Sequence, residues 1–358
     1  MTRRLMEGAE AIAQAMVSAG CRFFAGYPMT PFTEVLEGMA RLLPKVGGVC
    51  INAESELEAV GMAWGAAAGG VRAATGSVGQ GLSLMQESLS EACYARVPLV
   101  VLNMARGQGD YFQATRGGGH GDYRHIVLAP SDINEAIRVV QLAFHLADEW
   151  RNPVTVLGDY YLAHVQEAVD PGPVDFGPLP AKDWALDGSS SGSGRARAVS
   201  PLRSDGAERS YGEHLARMGD RVKAMQAGVE PIVETGHTDG AELVVVAYGT
   251  PGRYVRYVVS RMRAAGVPVG FVRPVTLWPF PYDAIAAAAR DALAIAVYEL
   301  NTGQMYDDVR LAVRTVPVSF IGGISFDNSG FGIAPDLGVN ALTGRIARAL
   351  DEARRETA

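Results

Sequence analysis

The chain has 358 residues, 48% of them apolar, which at roughly 100–200 residues per domain is enough for two or three packed cores. Thirty-two Lys and Arg against 39 Asp and Glu leave a net charge of −7. No apolar run approaches the ~20 residues of a membrane span, so composition disfavours both a nucleic-acid binder and a membrane protein.

In chain order, residues 8–20 predict a helix, Arg22–Ala25 a strand, Pro31–Leu43 a helix and Gly48–Ile51 a strand. Helix Ser55–Gly70, strand Ala73–Thr75, helix Leu82–Ala95, strand Pro98–Asn103, helix Ile133–Trp150 and strand Val154–Gly158 follow. Ala-rich helical stretches alternating with β-branched runs are the pattern of parallel sheets covered by helices, so the class is α/β, with residues 1–165 as a first domain. Residues 166–239 turn to Pro171, Pro173, Pro178 and Pro180, then Ser189–Gly194 with Arg195, Arg197 and Arg203. That composition marks a linker, with one helix near 211–227. A smaller second domain, 240–358, resumes the alternation with Leu243–Ala247, Pro251–Ala265, Val267–Val272, Tyr282–Arg290, Leu293–Tyr298, Tyr306–Arg314 and Val318–Ile321. The three cysteines, Cys21, Cys50 and Cys93, lie singly among apolar neighbours with no spacing for zinc or iron–sulfur ligation. Arginines at the start are followed by Glu7 and Glu10 where an export signal needs an apolar core, which reads as a mature cytoplasmic chain.

Five loops hold residues that a core does not need: Gly26-Tyr-Pro-Met-Thr-Pro31, Asn52–Glu58, Thr75–Gly81, Arg106–Tyr123 and Glu299–Met305. Four of them follow a predicted strand, where open parallel sheets place ligands. Glu54, Glu56 and Glu58 sit where a helix N-terminus favours acidic groups, so capping competes with a functional carboxylate. Glu56 borders an apolar stripe of Leu57, Val60, Gly61, Trp64 and Ala68. The glycine-rich turn Thr75–Gly81 fits neither the dinucleotide fingerprint nor the P-loop. In Arg106–Tyr123, six glycines surround Arg116, whose fork suits a carboxylate substrate as well as a structural ion pair. His120 fits an acid/base, a substrate donor or a packing residue.

As a set, Gly26–Pro31, Glu54-Ser-Glu56, Gln108-Gly-Asp-Tyr-Phe-Gln-Ala-Thr-Arg116, His120-Gly-Asp122 and Glu299-Leu-Asn-Thr-Gly-Gln-Met305 resemble the α subunit of 2-oxoacid:ferredoxin oxidoreductases, the 2-oxoisovalerate type most of all. The resemblance runs over residues ~8–165 and ~240–320, and it implies a thiamine diphosphate enzyme split between chains. This chain would supply a pyrimidine-type binding domain and a transketolase C-terminal-like domain. A partner β subunit would hold the diphosphate, Mg²⁺ and an iron–sulfur cluster, and no metal ligand is expected here. Position by position, Glu56 matches the catalytic carboxylate on the ring nitrogen of the aminopyrimidine, where sharing a proton favours the imino tautomer. Tyr27 and Pro28 match the cofactor loop, and Thr30, Arg116 and His120 match substrate contacts.

The implied reaction is oxidative decarboxylation of a 2-oxoacid to acyl-CoA, with coenzyme A and ferredoxin, or a ferredoxin-like subunit, as partners and a dimer of αβ units as the assembly. Oxoglutarate-type relatives carry a Gly-Pro-Ser-Thr-Gly insertion after the strand near Asn103, whereas here Met104-Ala-Arg106 passes directly to Gly107. That points to a branched-chain or aromatic 2-oxoacid. The alternatives are a non-oxidative decarboxylase or carboligase subunit with the same cofactor, and a non-catalytic scaffold, against which Glu56 argues.

Overall fold

The computed structural model describes residues 3–186, 211–324 and 336–357. The first part comprises β1 (Arg4–Glu7), α1 (Gly8–Ser18), β2 (Phe23–Gly26), α2 (Thr33–Leu42), β3 (Val49–Asn52), α3 (Glu56–Ala68), β4 (Ala73–Ser77) and α4 (Gly79–Ala95). It continues with β5 (Val100–Ala105), α5 (Tyr111–Thr115), β6 (Ile126–Leu128), α6 (Ile133–Trp150), β7 (Val154–Asp159), α7 (Tyr160–His164) and β8 (Gln166–Val169). Then come α8 (Tyr211–Gly228), β9 (Val233–Gly236), β10 (Leu243–Val246), α9 (Gly249–Ala264), β11 (Val269–Pro274) and β12 (Thr276–Trp278). The chain closes with α10 (Tyr282–Ala288), β13 (Ala294–Val297), α11 (Gln304–Ala312), β14 (Val318–Phe320) and α12 (Val339–Thr357).

The larger sheet has seven strands in the order β12-β6-β7-β5-β4-β2-β3, all parallel except β12. Every residue of β5 and β7 is buried, because helices cover both faces and leave no wet side for polar alternation. Residues of α1, α2 and α6 pack with Phe24, Leu102 and Val156 on one face, and residues of α3 and α4 with Ala73, Leu99 and Val101 on the other. The smaller sheet runs β14-β13-β10-β11-β9, with β9 antiparallel. Val255 and Val259 of α9 and Ile346 and Leu350 of α12 cover one of its faces. Val244, Val272, Ile295 and Val309 belong to the same core as the first domain's α1 and α6, so the two sheets share a continuous apolar interior.

The α/β class, the pair of parallel-sheet units and a helix near 211–227 are as the sequence predicts, but two local features differ. Strand β12, from the second half of the chain, adds antiparallel to β6 of the first sheet, with Thr276 opposite Leu128. A two-stranded ribbon, β1 with β8, ties the N-terminus to the end of the first domain. Helix α8, where a linker helix is expected, is fastened by Arg221, which donates to the carbonyls of Cys93 (3.1 Å), Trp150 (3.0 Å) and Arg151 (3.1 Å). Those carbonyls lie at the C-terminal ends of α4 and α6, where a cation meets the negative end of both helix dipoles. Ser189–Gly194 and the linker arginines 195, 197 and 203 lie outside the described residues.

Between the domains, Arg273 is nearly buried yet fully compensated: it forks onto both oxygens of Glu135 at 2.8 and 2.9 Å and donates to Glu234 at 2.7 Å.

Candidate active site

Three glutamates surround the start of α3, and the backbone sorts them. Ser55 is the N-cap: its hydroxyl accepts from Leu57 N–H (3.2 Å) and donates to the carboxylate of Glu58, a side-chain form of the Ser-x-x-Glu capping pair. The hydrogen bond from Ser55 holds the Glu58 carboxyl below its usual range. Glu54 is exposed. Capping therefore belongs to Ser55 and Glu58, and Glu56 is turned inward, 3% exposed, on the same helix face as Ala59, Val60, Ala63 and Ala67.

One oxygen of Glu56, Oε1, accepts from the hydroxyl of Ser77 at 2.8 Å. Ser77 ends β4, and the N-terminus of α4 follows at Gly79, so two helix N-termini flank one buried carboxylate. A Cβ at Gly81 would collide with Ser77 Oγ and Glu56 Oε1, which is why this turn of α4 carries glycine. Among the described residues no protein group donates to Oε2. Oε2 is not among the buried unpartnered oxygens, so one oxygen is fixed by the protein while the other stays reachable by a group that brings its own donor.

The stripe expected on α3 is revised. Leu57 (50% exposed) and Met62 (40%) face outward with Gly61 and Gly65, and the buried face is the Ala-rich one that includes Glu56. Leu84 of α4 is also exposed, at 47%.

Beside this carboxylate, an open cleft of about 440 Å³ separates the carboxyl ends of β4 and β5 from the second domain, lined by Val78, Gly79, Arg106, Asp110, Asn301 and Gln304 among others. Arg106 donates through Nε to the carbonyl of Thr30 (3.2 Å), tying the Gly26–Pro31 loop to this wall. Burial pushes the Asp110 carboxyl above its usual range even though Asn103 (2.8 Å) and Gln113 (3.2 Å) donate to it. A Cβ at Gly79 would stand 2.7 Å from its Oδ1. Across the cleft, Glu299 is fully buried and accepts from Met305 N–H, Tyr306 N–H and Asn301 Nδ2 at 2.8–2.9 Å. Burial raises this carboxyl as well.

Of the sequence-derived site residues, Glu56 is buried beside the cleft, and Tyr27, Pro28 and Thr30 stand exposed on the loop that follows β2. Arg116 and His120 are not on the cleft wall. Arg116 Nη2 pairs with Asp308 at 3.0 Å, and Asp308 also accepts from Tyr111 (2.7 Å) and Tyr282 (3.1 Å). The buried Asp308 carboxylate needs that compensation, so Arg116, expected to meet a substrate carboxylate, is here engaged with Asp308 away from the cleft. His120 pairs with Glu91 at 2.7 Å and stacks on Tyr94. Sequence reasoning missed Ser77, Arg106 and Asp110. The available signal was position, since each lies at or just after the carboxyl end of β4 or β5. Among the described residues no three His, Cys, Asp or Glu side chains gather as a metal site, and none of the helices is long and apolar enough to cross a membrane. Burial pushes Cys21 and Cys93 up to about 12 and Cys50 up to about 11, which leaves all three as neutral thiols.

The family model described as pyruvate flavodoxin/ferredoxin oxidoreductase, thiamine diP-binding, matches residues 14–185, and that of pyruvate:ferredoxin oxidoreductase core domain II matches residues 241–328. The chain is 36% identical over 322 residues to ketoisovalerate oxidoreductase subunit VorB of Methanothermobacter thermautotrophicus, covering 87% of this chain and 90% of the relative. It is also 36% identical over 338 residues to 2-oxoglutarate synthase subunit KorA of the same organism, covering 85% and 89%. Among solved structures, the 2-oxoglutarate:ferredoxin oxidoreductase from Magnetococcus marinus, with 2-oxoglutarate, coenzyme A and succinyl-CoA bound, superposes with a TM-score of 0.84 at 25% identity over 98% of this chain. The present chain spans 65% of that longer one. A split-gene transketolase matches at a TM-score of 0.61 and 15% identity, a likeness of fold alone.

Proposed function

Since the chain belongs to the family of 2-oxoacid:ferredoxin oxidoreductase α subunits, we propose that it supplies the aminopyrimidine half of a thiamine diphosphate site, with Glu56 as the carboxylate that meets the ring nitrogen. The observation that carries this reading is the state of Glu56: buried, held at Oε1 by Ser77, open at Oε2, and backed by a glycine that leaves it room. An aminopyrimidine fits that donor set, because its ring nitrogen can share a proton with Oε2. Thiamine diphosphate, when bound, supplies the electron sink for loss of CO₂. Glu56 holds or releases a proton at Oε2, and Ser77 keeps the carboxylate from rotating.

Arg106 takes the role of carboxylate partner that the sequence assigned to Arg116. Its guanidinium lines the cleft beside Thr30, whose hydroxyl serves as a second substrate contact. Among the described residues lining the cleft, Arg106 is the single cation, enough for the carboxylate common to all 2-oxoacids. The distal carboxylate of 2-oxoglutarate would require another. Together with the direct passage from Met104 to Gly107, this supports a branched-chain or aromatic 2-oxoacid, although the relatives named above include both ketoisovalerate and 2-oxoglutarate enzymes. A partner subunit carries the diphosphate, Mg²⁺ and iron–sulfur cluster and covers the exposed apolar face of α3 and α4, in a dimer of αβ units. Electrons leave to ferredoxin or a ferredoxin-like subunit, and coenzyme A takes the acyl group.

The test is steady-state kinetics of the assembled complex on oxoisovalerate, phenylpyruvate and 2-oxoglutarate. The expected kcat/KM for one of the first two exceeds that for 2-oxoglutarate by at least about tenfold, the scale set by one unpaired buried carboxylate. A preference for 2-oxoglutarate would overturn the side-chain reading and leave the family in place.

A further inference from the structure

Helix α5 begins at Tyr111, and the residue before it, Asp110, is of a type that usually caps a helix with its own side chain. It makes no such bond; its carboxylate accepts instead from Asn103 and Gln113 and lines the cleft. The first-turn N–H of Phe112, one of the orphan donors of any helix start, is taken by Gln304 Oε1 of the second domain at 2.7 Å. The same side chain donates through Nε2 to the carbonyl of Gly109 at 2.8 Å, so one amide grips the backbone on both sides of Asp110.

Gln304 is itself held. Gly303, at φ 102°, turns the chain into α11, and Asn301 Oδ1 accepts from Gly303 N–H (2.7 Å) and Gln304 N–H (3.2 Å). Asn301 Nδ2 donates to the carbonyl of Gln108 (2.9 Å), and Gln108 Oε1 accepts from Leu300 N–H (2.8 Å). One turn along α11 from Gln304, Asp308 takes Tyr111 and Arg116. The loop after β5 is thus bound to the second domain along its length.

We propose that Gln304 is a positioning residue of the cleft: by capping α5 from the other domain it releases the Asp110 carboxyl from capping and fixes the Arg106–Phe112 backbone against the substrate. This deepens, and rests on, the reading of the cleft as the 2-oxoacid site.

Two measurements test it, one of which needs no activity. Amide hydrogen exchange on the full chain should be about tenfold faster at Gly109–Phe112 in Gln304→Ala than in the parent, with Glu56–Val60 unchanged. In the assembled complex, Gln304→Ala should lower kcat/KM for the preferred 2-oxoacid about tenfold, mainly through KM, with thiamine diphosphate affinity unaltered. Gln304→Glu, which keeps the acceptor for Phe112 but loses the donor to the Gly109 carbonyl, should recover only part of that loss. In an Arg106→Ala background the Gln304→Ala change should add less than about twofold, since it acts through Arg106. Unchanged exchange at Gly109–Phe112 overturns the clamp. Equal losses in both backgrounds, accompanied by a lowered Tm, make Gln304 merely structural and overturn its positioning role. A parent complex that oxidises no 2-oxoacid sinks the functional reading instead, and the exchange measurement still decides the clamp.

Discussion

At the scale of single residues, two arginines ten positions apart have opposite surroundings. Arg106 lines the cleft with Asp110 nearby and, among the described residues, the Thr30 carbonyl as its hydrogen-bond partner, whereas Arg116 is engaged with the buried Asp308. Arg106→Ala in the complex should therefore cost about 2–4 kcal/mol of transition-state stabilisation on every 2-oxoacid, the scale of a desolvated charge pair. Arg116→Ala should act mainly on Tm, and the reverse ranking in steady-state kinetics and thermal melts would restore the sequence-based assignment. His125 gives a second residue-scale expectation. Its ring is buried against Tyr123 with no hydrogen-bond partner at either nitrogen among the described residues, and burial, with Arg124 nearby, lowers it to about 4. The unfolded chain takes up that proton near pH 6.5 and the folded chain does not, so the stability is complete above about 6.5 and is lost as pH falls towards 4. The loss is on the order of 3 kcal/mol. Urea melts of His125→Phe should show a flatter acid limb than the parent, and parallel limbs would mean that the ring is not buried neutral. Glu56 and Thr30 were named from motif alone. Ser77 and Arg106 were not, because a serine and an arginine at strand ends look ordinary until the sheet order brings β4 and β5 side by side.

At the scale of elements, α3 shows what periodicity can and cannot say. Its apolar residues run almost all the way round, so the stripe through Leu57, Val60, Gly61, Trp64 and Ala68 looked like the core face, yet the fold buries Val60 with the Ala-rich face, leaves Trp64 and Ala68 half-buried and turns Leu57 and Gly61 outward. Two apolar faces on one helix are expected when one packs on the chain's own sheet and the other on a partner. A Cβ at Gly61 or Gly65 would meet nothing within 4 Å. Gly65→Ala should thus stabilise the lone chain by about 0.5–1 kcal/mol, the helix preference for Ala over Gly. Gly61→Arg should leave the lone chain folded by circular dichroism but abolish co-elution with the partner subunit. Full assembly of the Arg variant would show that this face stays uncovered. The order of helices and strands was readable because parallel strands are uniformly apolar and short. Strand β12 and the β1–β8 ribbon escaped, since Thr276–Trp278 and Arg4–Glu7 are extended only through pairing with distant partners.

At the scale of the whole molecule, the second domain contributes Asn301 and Gln304 to the cleft wall and holds the loop after β5 through Leu300, Asn301, Gln304 and Asp308, while the first domain carries Glu56. On the proposed reading this arrangement is half of a catalytic centre, a buried carboxylate beside a cleft that takes the substrate carboxylate, and among the described residues no group of His, Cys, Asp and Glu gathers to hold a metal. The most direct test of that account is 2-oxoacid-dependent reduction of a one-electron acceptor by the purified complex, comparing the parent with Glu56→Gln while thiamine diphosphate occupancy is measured in the same samples. The account predicts full assembly and retained cofactor in the variant, with turnover reduced at least about 100-fold, because an amide cannot share the proton at Oε2. Near-parental turnover in Glu56→Gln with the cofactor bound would contradict it.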